Sequence, residues 1–494
     1  GEVVSMESEP VDVGTFGASF AEFIELMNAV ARAKESPVAV RIREHLGVDP
    51  KELPITGADF SPTDQPNLQL ALDTVFPQVE VIGIPSLRHG FPMVGLAALL
   101  SGQGPMGRIE IGPVQYTDVE IGDGRVVRAV SDGVYLPALD QGPAALVVSH
   151  SEGHFGRAVL RLEGVSPVDG LVSSLLAELR AKMRELNVYR GQVISLHASQ
   201  PHEPVRVQFH RVGDTSRGAV VLPPGTLERL ERHAIGLAEH AERLRAEGRQ
   251  LKRGVLLHGP PGTGKTLTVN YLLGAMPGRT TVLLNGRNLQ LIEPAVGIAR
   301  ELTPATVVLE DVDLVAAERT MPVGHHGILF ELLNQMEGLD EDNDLLFLLT
   351  TNRPDLIEPA LAARPGRIDL ALEIPLPDAG ARLRLVRLYA GDVPVGEEAE
   401  LDVVTRTQGL TGAFIKELMR QAGLRAALED RPPTERDAAE ALTELLDERS
   451  TLTRRLLGQA GRQGENVPPG PSPYPAMLHA FGAAGIQISE TSTD

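Results

Sequence analysis

The segment with the clearest chemical meaning is residues 259–266, which read Gly-Pro-Pro-Gly-Thr-Gly-Lys-Thr. Its glycines let the backbone wrap around an anion without a Cβ in the way. The lysine can reach phosphate oxygens, and the hydroxyl after it can ligate Mg²⁺. Val255-Leu256-Leu257 before the segment predicts a buried strand, and Leu267 to Leu273 after it predicts the first turns of a helix. This order predicts a nucleotide-phosphate site formed by Gly259, Pro260, Pro261, Gly262, Thr263, Gly264, Lys265, Thr266 and Leu267.

Two predicted strands downstream end in polar residues. Ala305 to Leu309 is followed by Glu310-Asp311, and Leu345 to Leu349 is followed by Thr350-Thr351-Asn352. In an open α/β sheet the ligand crevice lies at the carboxyl ends of the strands. One carboxylate there can hold Mg²⁺ and the other can polarise an attacking water, while an amide can orient that water. The pattern predicts hydrolysis of the bound nucleotide.

Four ordered motifs resemble those of the AAA ATPases that carry the second region of homology. They are Gly259–Thr266, Val307–Asp313, Thr350–Asn352 and Ala363–Asp369. A fifth segment, Gly409–Ala413, is similar to the start of the sensor-2 helix in the small helical lid of that family. The similarity covers roughly residues 220–430.

The resemblance implies ATP and Mg²⁺ as ligands, with Thr266 and Glu310 on the metal. It implies that Glu310 is the Walker B carboxylate, that Asp311 is the catalytic position and that Asn352 is sensor 1. Gly412 and Ala413 would lie beside the ribose and base of the nucleotide.

Arg364 and Arg367 follow Asn352 by twelve and fifteen residues, a placement that matches the arginine fingers of the family. Such arginines stabilise transition-state charge in the pocket of a neighbouring subunit. A head-to-tail interface of this kind closes into a ring when the rotation permits. The resemblance therefore implies a homo-oligomeric ring, expected to be a hexamer.

The chain departs from the common family pattern at two places. Most relatives have Asp and then Glu where this chain has Glu310 and then Asp311; Leu-Glu-Asp-Val-Asp is similar to the branch that contains the mitochondrial translocase of the folded Rieske protein. Because Asp is one methylene shorter than Glu, slower turnover is expected. Ile292-Glu293-Pro294 stands near the position where related unfoldases carry an aromatic pore residue, and 279–300 contains no Phe, Tyr or Trp. We therefore expect no threading of a client by aromatic pore loops.

Periodicity and composition predict five regions along the chain. Strand and helix patterns alternate in the nucleotide-binding region, which is typical of a parallel sheet with crossover helices. The predicted fold class is α/β: a P-loop NTPase sheet with a small α-helical lid, preceded by an α+β or β-rich N-terminal region. The regions are a helical and irregular segment (1–112), a small β-rich or α+β domain (113–215), the nucleotide domain (216–378), the lid (379–460) and a flexible tail (461–494).

The composition narrows the class of partner. With 66 acidic and 46 basic residues the chain has a net charge of −20, whereas a nucleic-acid binder should carry a basic surplus or stripe. Nucleic acid is therefore not expected as a partner. No apolar stretch approaches the ~20 residues that span a bilayer. Cysteine is absent, which fits a reducing compartment, so a cytoplasmic location is expected.

Two functions remain open from the sequence. The first is a ring-forming ATPase that remodels, translocates or assembles a protein client, which its N-terminal region selects. The second is a slow nucleotide-dependent scaffold or assembly switch without mechanical unfolding.

Overall fold

The structure is a computed structural model of the 494-residue chain. Several predicted features lie outside the residues that it describes: Arg364, Arg367, the tail 461–494 and most of the first 35 residues of the helical and irregular segment 1–112. The described residues are 20, 22, 36–84, 95–101, 103–104, 107–152, 158–198, 205–286, 288–313, 343–355 and 368–447.

The first part of the chain forms an antiparallel sheet with helices on both faces. In sheet order the strands run β1-β6-β5-β4-β2, and β3 also pairs with β4. The strands are β1 (Thr56–Phe60), β2 (Glu80–Gly83), β3 (Gln115–Glu120), β4 (Val126–Leu136), β5 (Ala145–Glu152) and β6 (Ala158–Val165). The helices are α1 (Pro37–Leu46), α2 (Gln65–Val75), α3 (Leu96–Ser101) and α4 (Leu171–Glu185). Two-residue strand pairs join Gln103–Gly104 to Gly107–Arg108 and Ala138–Leu139 to Gly142–Pro143.

This sheet differs from the division predicted at residue 112. Strands β1 and β2 come from the stretch 48–112, in which the sequence showed no period, and they pair with β6 and β4. Helices α2 and α4 pack on one face, and α1 and α3 pack on the other. Strand β1 (Thr-Gly-Ala-Asp-Phe) is short and partly polar, so its alternation is too weak to recognise in isolation. The described residues between 36 and 186 therefore form one α+β domain around this sheet, called the N-terminal domain below.

The nucleotide domain contains a seven-stranded sheet in the order β8-β7-β10-β11-β12-β9-β13. All neighbouring strands are parallel except β7 and β8. The strands are β7 (Val193–His197), β8 (Arg206–His210), β9 (Arg253–His258), β10 (Thr280–Leu284), β11 (Ala305–Leu309), β12 (Leu345–Thr351) and β13 (Leu370–Glu373). The helices are α5 (Thr226–Glu231), which continues through helical turns at Arg232–Gly236 and Leu237–Glu239, then α6 (Ala241–Ala246), α7 (Lys265–Ala275) and α8 (Ile292–Glu301).

The central strands are apolar because helices cover both of their faces. Every residue of β11 and β12 is buried, and so are the first five residues of β9. Helix α8 packs on one face of the sheet and α7 on the other. Near-continuous apolar runs of this kind are expected in parallel strands that never face water. Their polar residues are therefore restricted to the strand ends, where the site forms.

Strand β7 was assigned by sequence to the N-terminal domain, and that assignment is wrong. It pairs in parallel with β10 and extends the nucleotide sheet, and β8 then forms its outer edge. Sequence patterns identify a strand but do not show its distant partner. The turn before β7 also holds the N-terminal domain: the Val188 N–H donates to Asn67 Oδ1 at 2.9 Å, and the Tyr189 hydroxyl donates to the Thr63 carbonyl at 2.5 Å.

The predicted pore-loop position is also wrong. Ile292 is the first residue of α8, and its side chain is only 3% exposed within the core between α8 and the sheet. Its apolar character therefore serves packing. Ile292 follows directly on a 3-10 turn, Leu289–Leu291, in which Leu289 and Leu291 are also buried.

Four helices follow the sheet and form a separate small core. They are α9 (Ala379–Ala390), α10 (Glu397–Arg406), α11 (Gly412–Leu428) and α12 (Glu435–Leu446). Side chains cap the first turns of α9 and α11: Asp378 accepts from the Ala381 N–H at 2.7 Å, and Thr411 accepts from the Phe414 N–H at 3.3 Å. Among the described helices, none is both long enough and apolar enough to cross a membrane.

Candidate active site

The glycine-rich loop joins the end of β9 to the start of α7. Gly259, Gly262 and Gly264 adopt φ values of +147°, +76° and +105°, which side-chain-bearing residues rarely adopt. A Cβ at Gly259 would also collide with the carbonyl oxygen of Ile374. The loop therefore needs glycine for its backbone conformation, and it turns toward the N-terminus of α7, where unpaired N–H groups favour an anion.

Lys265 lies at the centre of this loop and is only 6% exposed. Its Nζ donates to the carbonyl oxygens of Gly259 and Pro260, both at 2.8 Å. Burial lowers the pKa of Lys265, while the nearby carboxylates of Asp311 and Asp313 act in the opposite direction. An ammonium group so poorly hydrated gains strongly from a phosphate dianion.

Asp311 is held in an unusual conformation between two strand ends. Its φ is +53°, a value that costs energy for a residue with a Cβ and is often found at functional sites. Its backbone N–H donates to Thr350 Oγ1 at 3.1 Å, and its Oδ1 accepts from Asn352 Nδ2 at 3.1 Å. The ends of β11 and β12 thus fix both the backbone and the carboxylate of Asp311.

Glu310 offers a buried carboxylate oxygen to a cation. Its Oε1 is buried without a hydrogen-bond partner, an arrangement that is costly unless an ion or water completes it. Thr266 is the second residue of α7, directly after the glycine-rich loop, and it is exposed. Mg²⁺ prefers oxygen ligands and keeps several waters. The donor set therefore fits Mg²⁺ held by Thr266 and Glu310, which would neutralise phosphate charge.

A cavity of about 490 Å³ opens between the sheet and the helical lid. Asp311 and Asn352 line it together with most of the predicted phosphate cradle and the start of α11. Glu310, Gly259 and Pro260 are not among its lining residues, and Arg364 and Arg367 lie outside the described residues. The predicted residues that line the cavity are Pro261, Gly262, Thr263, Gly264, Lys265, Thr266, Leu267, Asp311, Asn352, Gly412 and Ala413.

The lid rests directly on the glycine-rich loop. The Ala413 N–H donates to the Gly262 carbonyl at 3.1 Å, and a Cβ added to Gly262 would lie 3.1 Å from both Ala413 Cβ and Thr411 Oγ1. A ligand that moves the loop must therefore also move the start of α11. This contact gives a physical route from phosphate binding to lid position.

The apolar end of the cavity was not predicted from the sequence. Residues 219–223, Leu385 and Tyr389 line it, and Lys416 Nζ lies 5.9 Å from the centroid of the Tyr389 ring. These groups suit a flat aromatic base flanked by one positive charge. The apolar run 219–223 was a usable signal, whereas Tyr389 and Lys416 depend on the packing of two lid helices.

Comparison with known proteins supports this assignment of the fold. Residues 255–376 match the model of the ATPase family associated with various cellular activities (AAA). The chain is 31% identical over 238 residues to the ATPase family gene 2 protein of Schizosaccharomyces pombe, covering 46% of this chain and 29% of that protein. It is 30% identical over 205 residues to the proteasome-activating nucleotidase of Methanocaldococcus jannaschii, covering 39% of this chain and 47% of the relative.

A third relative aligns over a longer stretch. The chain is 28% identical over 341 residues to the 26S proteasome regulatory subunit 6A of Encephalitozoon cuniculi, covering 62% of this chain and 80% of that protein. The chain nevertheless spans under half the length of the first two relatives. The family match agrees with the glycine-rich loop and with the polar groups at the two strand ends: within residues 255–376 this chain contains an ATPase domain of the AAA type, a family whose members use ATP with Mg²⁺.

Proposed function

We propose that this protein hydrolyses ATP to ADP and phosphate, and that it uses the energy to remodel, translocate or assemble a protein client. The observation that carries the proposal is the convergence of Lys265, Asp311 and Asn352 on one cavity beneath the lid. A buried cation, a carboxylate and an amide around a phosphate-sized cradle suit attack of water on a γ-phosphate.

Each residue has a definite task in that reaction. Backbone N–H groups at the start of α7 and the ammonium of Lys265 bind the phosphate oxygens. Thr266 and Glu310 would hold Mg²⁺, which would neutralise phosphate charge. Asp311 accepts a hydrogen bond from the attacking water, and Asn352 orients that water. The water oxygen bonds to the γ-phosphorus as the bond to the ADP oxygen breaks, and the proton that the water loses passes to Asp311 or to a phosphate oxygen.

The proposed assembly is a homo-oligomeric ring, a hexamer, located in the cytoplasm. Arg364 and Arg367 would reach the nucleotide of the neighbouring subunit, as their placement after Asn352 implies. The names of the relatives refer to proteasome activation and regulation, which supports a protein client for this chain as well. The net charge of −20 argues against nucleic acid as that client.

The N-terminal domain is the proposed client-selecting part. Strands β7 and β8 extend the nucleotide sheet, and the turn before β7 hydrogen-bonds to α2 and the segment before it. Movement of the sheet would therefore be passed to the N-terminal domain through these hydrogen bonds. This connection favours mechanical action through the N-terminal domains over threading of the client through the ring. The absence of aromatic residues from 279–300, which could grip a threaded chain, favours the same alternative.

A slow assembly switch is the second candidate function. The order Glu310-Asp311 supports a place near the Rieske-protein translocase branch, and it leaves a short carboxylate at the catalytic position. A shorter carboxylate acts on water from farther away, which favours slow hydrolysis.

The test measures phosphate release by the full chain with Mg²⁺ and ATP, alone and with proteins captured from the native cell by an Asp311→Asn variant. Client-stimulated turnover and a hexameric mass support the ring remodeller. Flat, slow turnover with nucleotide-dependent assembly supports the switch. Absence of hydrolysis in the wild type, with an intact fold, would refute both ATP-driven functions.

A further inference from the structure

We propose that Asp313 is a positioning residue for ATP hydrolysis, because its carboxylate fixes the chain at Asn352 and thereby holds the Asn352 amide against Asp311. The proposal rests on the ATPase function proposed above. In the sequence Asp313 is only the last residue of the motif Val307–Asp313.

One oxygen of Asp313 binds two consecutive residues at the end of β12. Asp313 Oδ1 accepts from Thr351 Oγ1 at 2.9 Å and from the Asn352 backbone N–H at 3.0 Å. Asp313 is 7% exposed and Thr351 is fully buried, so water competes little for these bonds. The Thr351 hydroxyl also accepts from the Arg353 N–H at 3.0 Å, which ties the residue on the other side of Asn352 to the same cluster.

The cluster controls where the Asn352 side chain points. With its backbone N–H and both neighbours held, Asn352 has little freedom besides its own side-chain rotations. Its Nδ2 then reaches Asp311 Oδ1 at 3.1 Å. Asp311 is itself tied to the same strand end, because its N–H donates to Thr350 Oγ1 and the Val312 N–H donates to the Thr350 carbonyl. The relative position of amide and carboxylate is thus set largely by bonds from residues 311–313.

Asp313 acts from behind the reacting groups. It is not among the residues that line the cavity, whereas Asp311 and Asn352 are. A direct role in proton transfer is therefore not part of the proposal. The competing explanation is electrostatic: the charge of Asp313 raises the pKa of Lys265 against the effect of burial. A field effect requires the charge, whereas positioning requires only an acceptor oxygen at the same place.

Two variants of Asp313 separate these explanations. Asp313→Asn keeps an oxygen in place but removes the charge, and Asp313→Ala removes the acceptor. We expect Asp313→Ala to lower kcat by about tenfold to a hundredfold, the range in which misplacing catalytic groups acts. The KM for ATP and the Kd for ADP should stay within about threefold, since the cradle is intact. Asp313→Asn should keep kcat within about threefold of the wild type.

Hydrogen exchange provides a readout that does not require activity. The Asn352 N–H is bound to Asp313, so peptides covering 349–355 should exchange faster in Asp313→Ala than in the wild type or Asp313→Asn. Asp132→Ala is the matched control, because Asp132 is also buried and accepts a backbone N–H, from His150 at 3.0 Å, in the N-terminal domain. The control should leave kcat and the exchange of 349–355 unchanged.

Several results would overturn the proposal. If Asp313→Asn is as slow as Asp313→Ala, the charge matters and positioning is refuted. Unchanged kcat in folded Asp313→Ala, or an equal loss in Asp132→Ala, would also refute it. Should Asp313→Ala not fold, Thr351→Val removes the other donor to Asp313 Oδ1, and an unchanged kcat there counts against the idea. Absence of ATPase activity in the wild type would refute the proposed function. Unchanged hydrogen exchange at 349–355 in Asp313→Ala would separately refute the positioning contact.

Discussion

A buried ion cluster lies at the amino ends of three central strands, on the side of the sheet away from the active site, and it gives a sharp test of the structure. Asp344, immediately before β12, binds Arg253 at the start of β9 and Arg279 just before β10, with N–O distances of 2.9 and 2.8 Å. The exposed fractions of the three residues are 4%, 3% and 7%. The cluster therefore fastens together the starts of strands that end at the glycine-rich loop and at Asn352.

The expected cost of Asp344→Asn follows from this burial. The substitution retains the shape but removes the carboxylate that the two buried guanidinium groups share. Removing one partner of a buried ion pair costs about 3–5 kcal/mol, largely because the remaining charge is uncompensated. The matched control is Asp59→Asn, which breaks an Arg–Asp pair of similar geometry with Arg161, at 2.7 and 3.0 Å, on the surface. Exposed pairs of this kind contribute less than about 1 kcal/mol.

Urea unfolding followed by circular dichroism measures the loss in the free energy of unfolding for each variant. Hydrogen exchange in β9 and β12 shows whether the loss for Asp344→Asn is located at these strands. Burial would raise the pKa of Asp344, but hydrogen bonds and charge from Arg279 and Arg253 hold it below the usual range. A carboxylate with a lowered folded pKa stabilises fully above its unfolded pKa of about 3.9. The contribution is lost as the pH falls through the folded pKa, and Asp344→Asn should lack this acid-dependent component. Equal small losses in both variants at neutral pH would show that the cluster does not stabilise the sheet.

Three further predictions concern the site and the ring. Lys265→Ala should weaken binding of a labelled ATP analogue at least tenfold, since each charge-assisted contact contributes about 1.5–3 kcal/mol; unchanged affinity would place the nucleotide elsewhere. Gly259→Ala should abolish nucleotide binding through collision with Ile374, whereas Gly297→Ala in α8, where a Cβ meets nothing within 4 Å, should be tolerated, and equal binding by the two would contradict the loop geometry. Arg364→Ala and Arg367→Ala subunits should bind ATP but hydrolyse it poorly, and mixing with Lys265→Ala subunits should restore part of the activity; a fully active monomer would refute the ring.

The phosphate cradle could be predicted from sequence because its chemistry is local. Gly262, Gly264 and Lys265 act through backbone conformation and contacts that lie within a few residues of one another. The polar ends of β11 and β12 were also predictable, since a parallel sheet brings its carboxyl ends to one edge. The convergence of Asp311 and Asn352 follows from that rule without any knowledge of side-chain packing.

The parts that the sequence did not predict depend on distant pairing. The partner of β7 is β10, and several other elements lie between them along the chain. Ile292 was placed near a pore loop by analogy with related unfoldases, yet it begins α8, and Pro294 falls in the first turn of that helix, where N–H groups have no partner within the helix. The base end of the cavity joins 219–223 to Tyr389 across the lid boundary, so no single stretch of sequence carries the pattern.

The same strand ends explain how a phosphate could be sensed at a distance. Asn352 already donates to Asp311, and Asp313 holds the backbone of Asn352, so the ends of β11 and β12 behave as one hydrogen-bonded unit. On the other side of the cavity, Gly262 accepts from Ala413 at the start of the lid. A γ-phosphate bound in the proposed site would lie between the carboxylate–amide pair and the loop that supports α11. Its loss on hydrolysis would therefore change the surroundings of both at once, which is how the proposed chemical step would be linked to lid movement.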